Sequence, residues 1–196
     1  MTAAGFNGVE GALVTLDLQH GVVATYANEP AFIARAAAVV AEARRARVPI
    51  IHVKVGFRPG VPEASPRNAF LSTVKASIPH QQFFSDASGA LHPGLGVENG
   101  DLIVTKSRVS GFAGTDLEIL LRATDRRHIA LLGIATSGAV LATALQAADL
   151  DYRTFIVGDC CADVPQAVHE ALIAHVLPRQ ATVVTADEMI MACRQL

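Results

Sequence analysis

Short apolar runs alternate with longer helix-like segments along most of this 196-residue chain. The apolar run 12–18 is followed by the Ala-rich segment 30–47, in which Pro30 suits the first turn of a helix. Apolar strands that alternate with helices are typical of a sheet that is covered on both sides. The alternation therefore predicts an α/β fold, with a doubly wound, mostly parallel sheet and helices on both faces.

The remaining strands and helices are predicted in the same alternating order. Strands are expected at 49–55, 102–105, 128–132, 152–157 and 181–184, and helices at 137–150, at 165–176 and near the C-terminus. Thr115, with Glu118 three residues later, matches a capping box that opens a helix ending near Ala123. The polar segment 56–100 is too long for a simple connection, so we expect it to build part of a site. No internal repeat or low-complexity tract divides residues 1–196, which predicts a single domain.

Charge and cysteine content narrow the class of protein. The chain has 16 basic and 18 acidic residues without runs of like charge, which gives no electrostatic reason to expect nucleic acid or a membrane as partner. Its three cysteines, Cys160, Cys161 and Cys193, suit a reducing compartment better than a disulfide framework. No signal peptide is recognisable, and no apolar run approaches the ~20 residues that cross a bilayer. These features predict a cytoplasmic protein whose partners are small molecules or other proteins.

Two charged residues and one loop come directly after predicted strands. Asp17 ends the first strand, Lys106 ends the third, and the loop 135–139 follows the fourth. Ligands of such sheets bind beyond the carboxyl ends of the strands, so these features are expected to meet there. An acid and an ammonium in contact can orient and polarise a reacting group, or they can form only a salt bridge at the sheet edge. Spacing alone leaves both interpretations open.

Three sequence motifs resemble those of a known family. They are Asp17 within LDLQ, Lys106 within VTKSRVSGF, and GIATSGAV, which is similar to the pattern Gly-Ile/Val-x-Thr-x-x-Cys-Val. In this order they resemble the isochorismatase-like hydrolases, which include nicotinamidases, N-carbamoylsarcosine amidases and isochorismatase. The resemblance implies a flavodoxin-like three-layer α/β sandwich, with Asp17, Lys106 and position 139 as catalytic positions. The amidases carry a nucleophilic cysteine there, whereas this chain has Ala139, whose methyl group cannot attack a carbonyl.

The resemblance also implies residues around the reacting centre. A cis peptide bond is expected between Ile134 and Ala135, with the backbone N–H groups of Ala135 and Ala139 forming an oxyanion hole. An arginine in the long loop is expected to bind a substrate carboxylate, and phenylalanines to form an apolar wall for a planar acid. The residues expected to contact substrate are Gln19, Phe57, Arg58, Phe112 and Thr136, with Arg58 as the anion ligand and Phe57 and Phe112 as the wall.

Three functions are compatible with alanine at position 139. In the first, as the resemblance to isochorismatases with glycine there implies, Asp17 protonates the vinyl carbon of an enol ether, and water attacks the resulting oxocarbenium ion. Lys106 would tune this acid and bind substrate charge; the acid needs a raised pKa, which burial favours and Lys106 opposes. The second is an amidase or ureide hydrolase whose nucleophilic cysteine was replaced by alanine, and the third is a catalytically silent binding protein. We expect the first, with a small, anionic substrate.

Other nucleophiles and metal sites are not favoured. Ser137 is expected to cap the helix that follows it, and Cys160 and Cys161 are expected to pack in the interior beside Asp159, which would raise a thiol pKa. His52 lies inside a predicted strand without a carboxylate two residues before it, so we expect a packed or hydrogen-bonded core residue. No metal or other cofactor is predicted. The family resemblance implies a homodimer or a homotetramer.

Overall fold

A parallel sheet runs through the centre of the protein. A computed structural model describes residues 5–27, 29–76 and 87–195, and within these ranges the sheet has six strands. They are β1 (Gly11–Leu16), β2 (Ile50–Val55), β3 (Leu102–Lys106), β4 (His128–Ile134), β5 (Arg153–Ala162) and β6 (Thr182–Val184). Their order is β3-β2-β1-β4-β5-β6, and every neighbouring pair is parallel. The predicted sheet is confirmed, and its strand order reverses between β1 and β4, where ligands bind in such folds.

Helices connect the strands. In the described ranges they are α1 (His20–Tyr26), α2 (Pro30–Arg45), α3 (Ala69–Ala76), α4 (Leu117–Ala123), α5 (Leu141–Asp149), α6 (Gln166–Ala171) and α7 (Ala186–Arg194). A π-helical turn, Thr136–Val140, leads directly into α5. The sequence did not predict α1 and α3, which are short. Helix α1 begins without a side-chain cap, whereas Asn68 caps α3 by accepting from the Leu71 N–H at 3.0 Å. Helix α3 lies inside the long segment 56–100, of which residues 77–86 are outside the described ranges. No helix that the structure describes is long and apolar enough to cross a membrane.

Side chains from alternate strand positions build a core on each face of the sheet. On β1, Leu13 packs on one side and Val14 and Leu16 pack on the other, as the two-residue repeat of a strand requires. Helices α2 and α7 cover the first side, and α4 and α5 cover the second. Their core residues are Val39, Val40, Met189 and Cys193 on the first side and Leu117, Leu121, Ala144 and Ala147 on the second. This arrangement confirms the three layers with helices on both faces.

Two T-x-x-E patterns in the sequence have different structures. Thr185 and Glu188 form a complete capping box at α7, in which the Glu188 N–H donates to Thr185 Oγ1 at 3.2 Å and the Thr185 N–H donates to the Glu188 carboxylate at 2.8 Å. The box predicted for Thr115 and Glu118 is wrong. The Thr115 hydroxyl donates to a backbone carbonyl at 2.6 Å, and Glu118 accepts from an arginine one turn later at 2.7 Å. The Thr115 hydroxyl oxygen accepts from the Leu117 N–H at 3.3 Å and not from the Glu118 N–H that a capping box requires, and Asp116 at the start of α4 makes no side-chain cap.

Candidate active site

A cavity lies at the carboxyl edge of the sheet, close to the point where the strand order reverses. Its volume is about 670 Å³, and it is lined by Asp17, Lys106, Ala135 and Ala139 among others; we call it the edge cavity. Asp17 follows β1, Lys106 ends β3, and the two alanines belong to the loop after β4. The structure therefore brings together the acid, the ammonium and the alanine that the sequence places after three different strands.

Asp17 and Lys106 form a buried ion pair. Lys106 Nζ lies 2.8 Å from Asp17 Oδ2, and the lysine and aspartate side chains are 3% and 11% exposed. The same ammonium donates to the backbone carbonyl of Arg108 at 3.1 Å. The other carboxylate oxygen, Asp17 Oδ1, is buried and has no hydrogen-bond partner among the described residues. The acid therefore has one oxygen fixed by the ammonium and one oxygen that no donor of the described chain satisfies.

Burial and the neighbouring ammonium act on the Asp17 pKa in opposite directions. Burial has the larger effect and raises the pKa of Asp17 above its ordinary value of 3.8, whereas the charge and the hydrogen bond of Lys106 lower it. The nearby backbone N–H of Val55 lowers the Asp17 pKa by a smaller amount. This N–H donates its hydrogen bond to Gln19 Oε1 and not to Asp17. The net result is a raised pKa. The Asp17 carboxyl group therefore keeps a proton to higher pH than an exposed aspartate does.

Gly133 allows the two strands that carry the site to approach each other. It pairs with Leu16 across β1 and β4, and its φ of 139° lies in the region that favours glycine. A Cβ atom at this position would lie 2.0 Å from the Leu16 carbonyl oxygen. Asp17 comes directly after β1, with a left-handed φ of 52° of the kind that clusters at functional sites. The role of Gly133 was not predicted, because the strand was expected to end at residue 132, one residue before this glycine.

The loop after β4 is held by residues from the β5–α6 region. The peptide bond between Ile134 and Ala135 is cis, as the resemblance implies. The Ser137 N–H donates to Asp163 Oδ2 at 2.6 Å. The hydroxyl of buried Thr136 lies 2.8 Å from His169 Nδ1. The predicted side-chain cap by Ser137 is wrong, because the π-helical turn begins without one and Ser137 contributes its backbone N–H instead.

Two of the predicted substrate contacts start at the carboxyl ends of β1 and β2. Phe57, which follows β2, lines the edge cavity. Gln19 follows β1 but lies outside the edge cavity, because its fully buried amide bonds to backbone. The amide nitrogen donates to the carbonyls of Val55 and Gly89 at 3.0 and 2.9 Å, and Oε1 accepts from the Val55 N–H at 2.8 Å. These bonds tie β1 to β2 and to the long segment, which is a structural role.

The other three predicted contacts also lie outside the edge cavity. The Arg58 side chain is 79% exposed and pairs with Glu63 at 2.7 Å, so its charge is already matched on the surface. Phe112 packs inside the protein against Tyr152, with ring centroids 5.7 Å apart. Thr136 points its hydroxyl to His169, as described above. Position after a strand did not distinguish side chains that face the cavity from those that face the core.

Several cavity-lining residues were not singled out from the sequence. Helix α3 contributes one wall, and the segments after β3 and β5 contribute others. Asp163 could have been predicted, since it follows β5 as Asp17 follows β1. The additional lining residues include Phe70, Val74, Arg108, Val109, Asp163 and Val164.

The cysteines and His52 have structural environments. All three cysteines are free and buried, and burial raises the pKa of each thiol, for Cys161 to about 12 and for Cys193 to about 11. His52 is a hydrogen-bonded core residue, as predicted: Nδ1 lies 2.8 Å from Thr15 Oγ1, and Nε2 lies 3.2 Å from Asp101 Oδ2. Within residues 5–27, 29–76 and 87–195, no group of three His, Cys, Asp or Glu side chains could hold a metal ion.

Comparison with known proteins assigns the chain to a family. The isochorismatase domain model matches residues 11–188, which is most of the chain. The chain belongs to the isochorismatase family. It is therefore a hydrolase of the isochorismatase family, and the resemblance deduced from the three motifs is confirmed.

Individual relatives agree with this assignment. This chain is 30% identical over 190 residues to the isochorismatase family protein YecD of Escherichia coli O157:H7, and the alignment covers 95% of this chain and 97% of YecD. It is 25% identical over 194 residues to the maleamate amidohydrolase of Pseudomonas putida, covering 96% and 89% of the two chains. A solved isochorismatase family structure from Burkholderia thailandensis superposes with a TM-score of 0.84 at 28% identity, covering 95% and 96%. The whole fold is thus shared.

Proposed function

We propose that this isochorismatase-family hydrolase cleaves a small, anionic substrate without a covalent intermediate, with Asp17 as the general acid. The observation that carries the proposal is the state of the Asp17 carboxyl group. It is buried, its pKa is raised, and Oδ1 has no partner among the described residues while Lys106 fixes Oδ2. A carboxyl group that retains its proton and has one free oxygen suits proton donation to a substrate.

The chemistry is clearest for an enol ether. Asp17 transfers its proton to the vinyl carbon, and the π electrons of the double bond form the new C–H bond, which leaves an oxocarbenium ion. Water adds its oxygen to the cationic carbon and returns a proton to the Asp17 carboxylate. The resulting hemiketal breaks its C–O bond and releases an alcohol and a ketone. Ala139 has no part in bond formation, and its small side chain leaves room for the substrate in the edge cavity.

Lys106 and the loop after β4 have supporting roles in this proposal. Lys106 orients the acid through Oδ2 and compensates the negative charge that Asp17 acquires after proton transfer. The N–H groups of Ala135 and Ala139, which the family resemblance implies as an oxyanion hole, are proposed to donate to an oxygen atom of the substrate, and Phe57 is proposed to contact the substrate. The acid has to be protonated to act, so kcat/KM is expected to fall as the pH rises through the raised pKa of Asp17.

An amide or ureide hydrolase is the second candidate. It is supported by relatives whose names give amide substrates, such as the maleamate amidohydrolase of Pseudomonas putida and the ureidoacrylate amidohydrolase of Methylobacterium radiotolerans. If the protein is an amidase, Ala139 occupies the position of the nucleophile, and the unmodified protein would not hydrolyse amides. A binding protein without catalytic activity is the third candidate. An activity screen distinguishes it from the two hydrolases.

The test is an activity screen over enol ethers, amides and ureides with four proteins. The unmodified protein should hydrolyse an enol ether, Asp17→Asn should lose that activity, and Ala139→Cys should add little to it because no covalent step exists. Ser137→Ala is the control for a serine nucleophile and should remain active. Amide hydrolysis that appears only in Ala139→Cys would favour the amidase, and full enol ether activity in Asp17→Asn would exclude the proposed acid.

Location and assembly are proposed from the sequence. We infer a cytoplasmic protein that forms a homodimer or a homotetramer and uses neither nucleic acid nor a membrane as partner. The low net charge of −2 and the free, buried cysteines support this inference.

A further inference from the structure

The charged side chains around the edge cavity differ in whether they have partners. Among the described residues, four charged side chains line it: Asp17, Lys106, Arg108 and Asp163. The Lys106 ammonium donates to Asp17 Oδ2 at 2.8 Å and to the Arg108 backbone carbonyl at 3.1 Å. Asp163 uses both carboxylate oxygens, accepting from the Ser137 N–H at 2.6 Å and from its neighbouring backbone N–H at 2.8 Å. Three of the four side chains therefore already have hydrogen-bond partners in the described chain.

Arg108 is the remaining charge. Its side chain forms no ion pair with any described acidic residue, and Nη1 donates a hydrogen bond to the Ser107 carbonyl at 2.6 Å. A guanidinium has five N–H donors, so most of its donor capacity is free. Its backbone carbonyl accepts from Lys106 Nζ at 3.1 Å, which places the residue directly beside the catalytic pair. An exposed, unpaired guanidinium at the wall of a cavity is suited to bind an anion through paired hydrogen bonds.

Large apolar side chains are exposed at the same cavity. Phe70 of α3 and Val164 after β5 both line it, yet they are 62% and 60% exposed. Val109 lines it too and is 38% exposed, next to Arg108. Val74 adds a buried apolar contact from the next turn of α3. The edge cavity therefore combines one exposed cation with apolar walls, which is the usual composition of a site for a small molecule with one charged group.

We propose that Arg108 binds the carboxylate of the substrate and that Phe70 and the other apolar residues of the walls contact its hydrophobic body. The substrate class is then an organic acid with one carboxylate and a ring or branched apolar group. This inference rests on the proposed function, because it places the substrate in the same cavity. It assigns Arg108, and not the predicted Arg58, as the residue that binds the substrate anion. Arg58 is matched with Glu63 outside the edge cavity, whereas Arg108 lines it and forms no ion pair with an acidic residue in the described ranges.

The test measures binding without turnover, so its outcome does not depend on whether Asp17 acts as the acid. The protein, labelled with ¹⁵N, is titrated with benzoate, with its neutral analogue benzamide and with acetate. Benzoate should bind at least about tenfold more tightly than either of the others, because only benzoate has both the charge and the apolar ring. Equal affinities for benzoate and benzamide, or no detectable binding of benzoate, would overturn the proposal.

Substitutions test separately which residues bind the carboxylate of benzoate and which contact its ring. Arg108→Gln should weaken benzoate binding about tenfold and leave benzamide unchanged, whereas the matched control Arg58→Gln should change neither. Phe70→Ala should weaken benzoate and benzamide alike, and the equally exposed Ile119→Ala on α4 should not. Arg108 is on the surface, so the folded state tolerates its replacement. A benzoate preference that survives Arg108→Gln, or is lost in Arg58→Gln, would overturn the assignment.

Discussion

Replacing Lys106 by methionine should make the stability of the protein depend strongly on pH. The substitution keeps the length of the side chain but leaves the Asp17 carboxyl group buried without its ammonium, which lies 2.8 Å away. Lys106 lowers the pKa of Asp17 against the larger effect of burial, so its removal raises that pKa further. As the pH rises above 3.8, the unfolded chain releases the Asp17 proton while the folded variant keeps it. The folded state then loses stability with rising pH until its own, higher pKa is passed.

The size of the effect follows from the cost of keeping that proton. This cost is about 1.4 kcal/mol for each pH unit above the ordinary pKa of 3.8, which limits the loss from Asp17 to about 1.6 kcal/mol at about pH 5. At about pH 8 the limit is about 6 kcal/mol, which exceeds the roughly 3 to 5 kcal/mol lost when one partner of a buried ion pair is removed. The variant should therefore be destabilised by about 3 kcal/mol or more at the higher pH, whereas at the lower pH Asp17 should contribute no more than about 1.6 kcal/mol.

Urea denaturation of the unmodified protein and of Lys106→Met at both pH values gives the two differences in unfolding free energy. The control is the same substitution in an Asp17→Asn background, where no carboxyl group is left to titrate and the pH dependence of the difference should disappear. Equal destabilisation of Lys106→Met at both pH values would refute the reasoning, since it would mean that lost packing and not the Asp17 charge determines the effect.

Three further predictions test the loop, the strand approach and the assembly. Ala139→Cys should place a thiol at the start of a helical segment, where its pKa is lowered. Iodoacetamide should alkylate this thiol faster than the three native cysteines, because burial raises the pKa of each of those thiols. An alkylation rate no higher than theirs would contradict the geometry of the loop. Gly133→Ala should lower the unfolding free energy by at least about 4 kcal/mol, because the new Cβ would lie 2.0 Å from the Leu16 carbonyl oxygen. The control is Gly138→Ala, in which the atom nearest to the new Cβ is 3.9 Å away, so stability should change little. Sedimentation at micromolar concentration should show a dimer or a tetramer, and a monomer would contradict the proposed assembly.

Sequence pattern predicted the framework because burial on both faces of the sheet imposes it. The apolar strand runs give β1 through β6, with ends within a few residues of those observed except at β5, which extends to Ala162. The carboxyl-end rule then places Asp17, Lys106 and the loop 135–139 at one cavity. These predictions rest on the chain path, which the hydrophobic pattern determines.

Side-chain direction and local competition for hydrogen bonds are what the sequence does not reveal. Thr115 and Thr185 begin identical T-x-x-E patterns, but only Thr185 makes a capping box, whereas the Thr115 hydroxyl donates to the Gly111 carbonyl and accepts from the Leu117 N–H. Arg58 and Arg108 both follow strands of the same sheet edge, but Arg58 meets Glu63 on the surface and only Arg108 lines the edge cavity. Such choices depend on partners that are distant in sequence or on the path of a loop.

The protonation state of Asp17 is the central claim of the proposed mechanism, and NMR measures it without a known substrate. The ¹³Cγ resonance of Asp17, assigned by its absence in Asp17→Asn, is followed during a pH titration of the folded protein. Burial outweighs Lys106 in this site, so the resonance should titrate at a pKa clearly above 3.8 and should move higher still in Lys106→Met. A titration at or below 3.8 in the unmodified protein would show that the ammonium dominates, and Asp17 would then not be the acid.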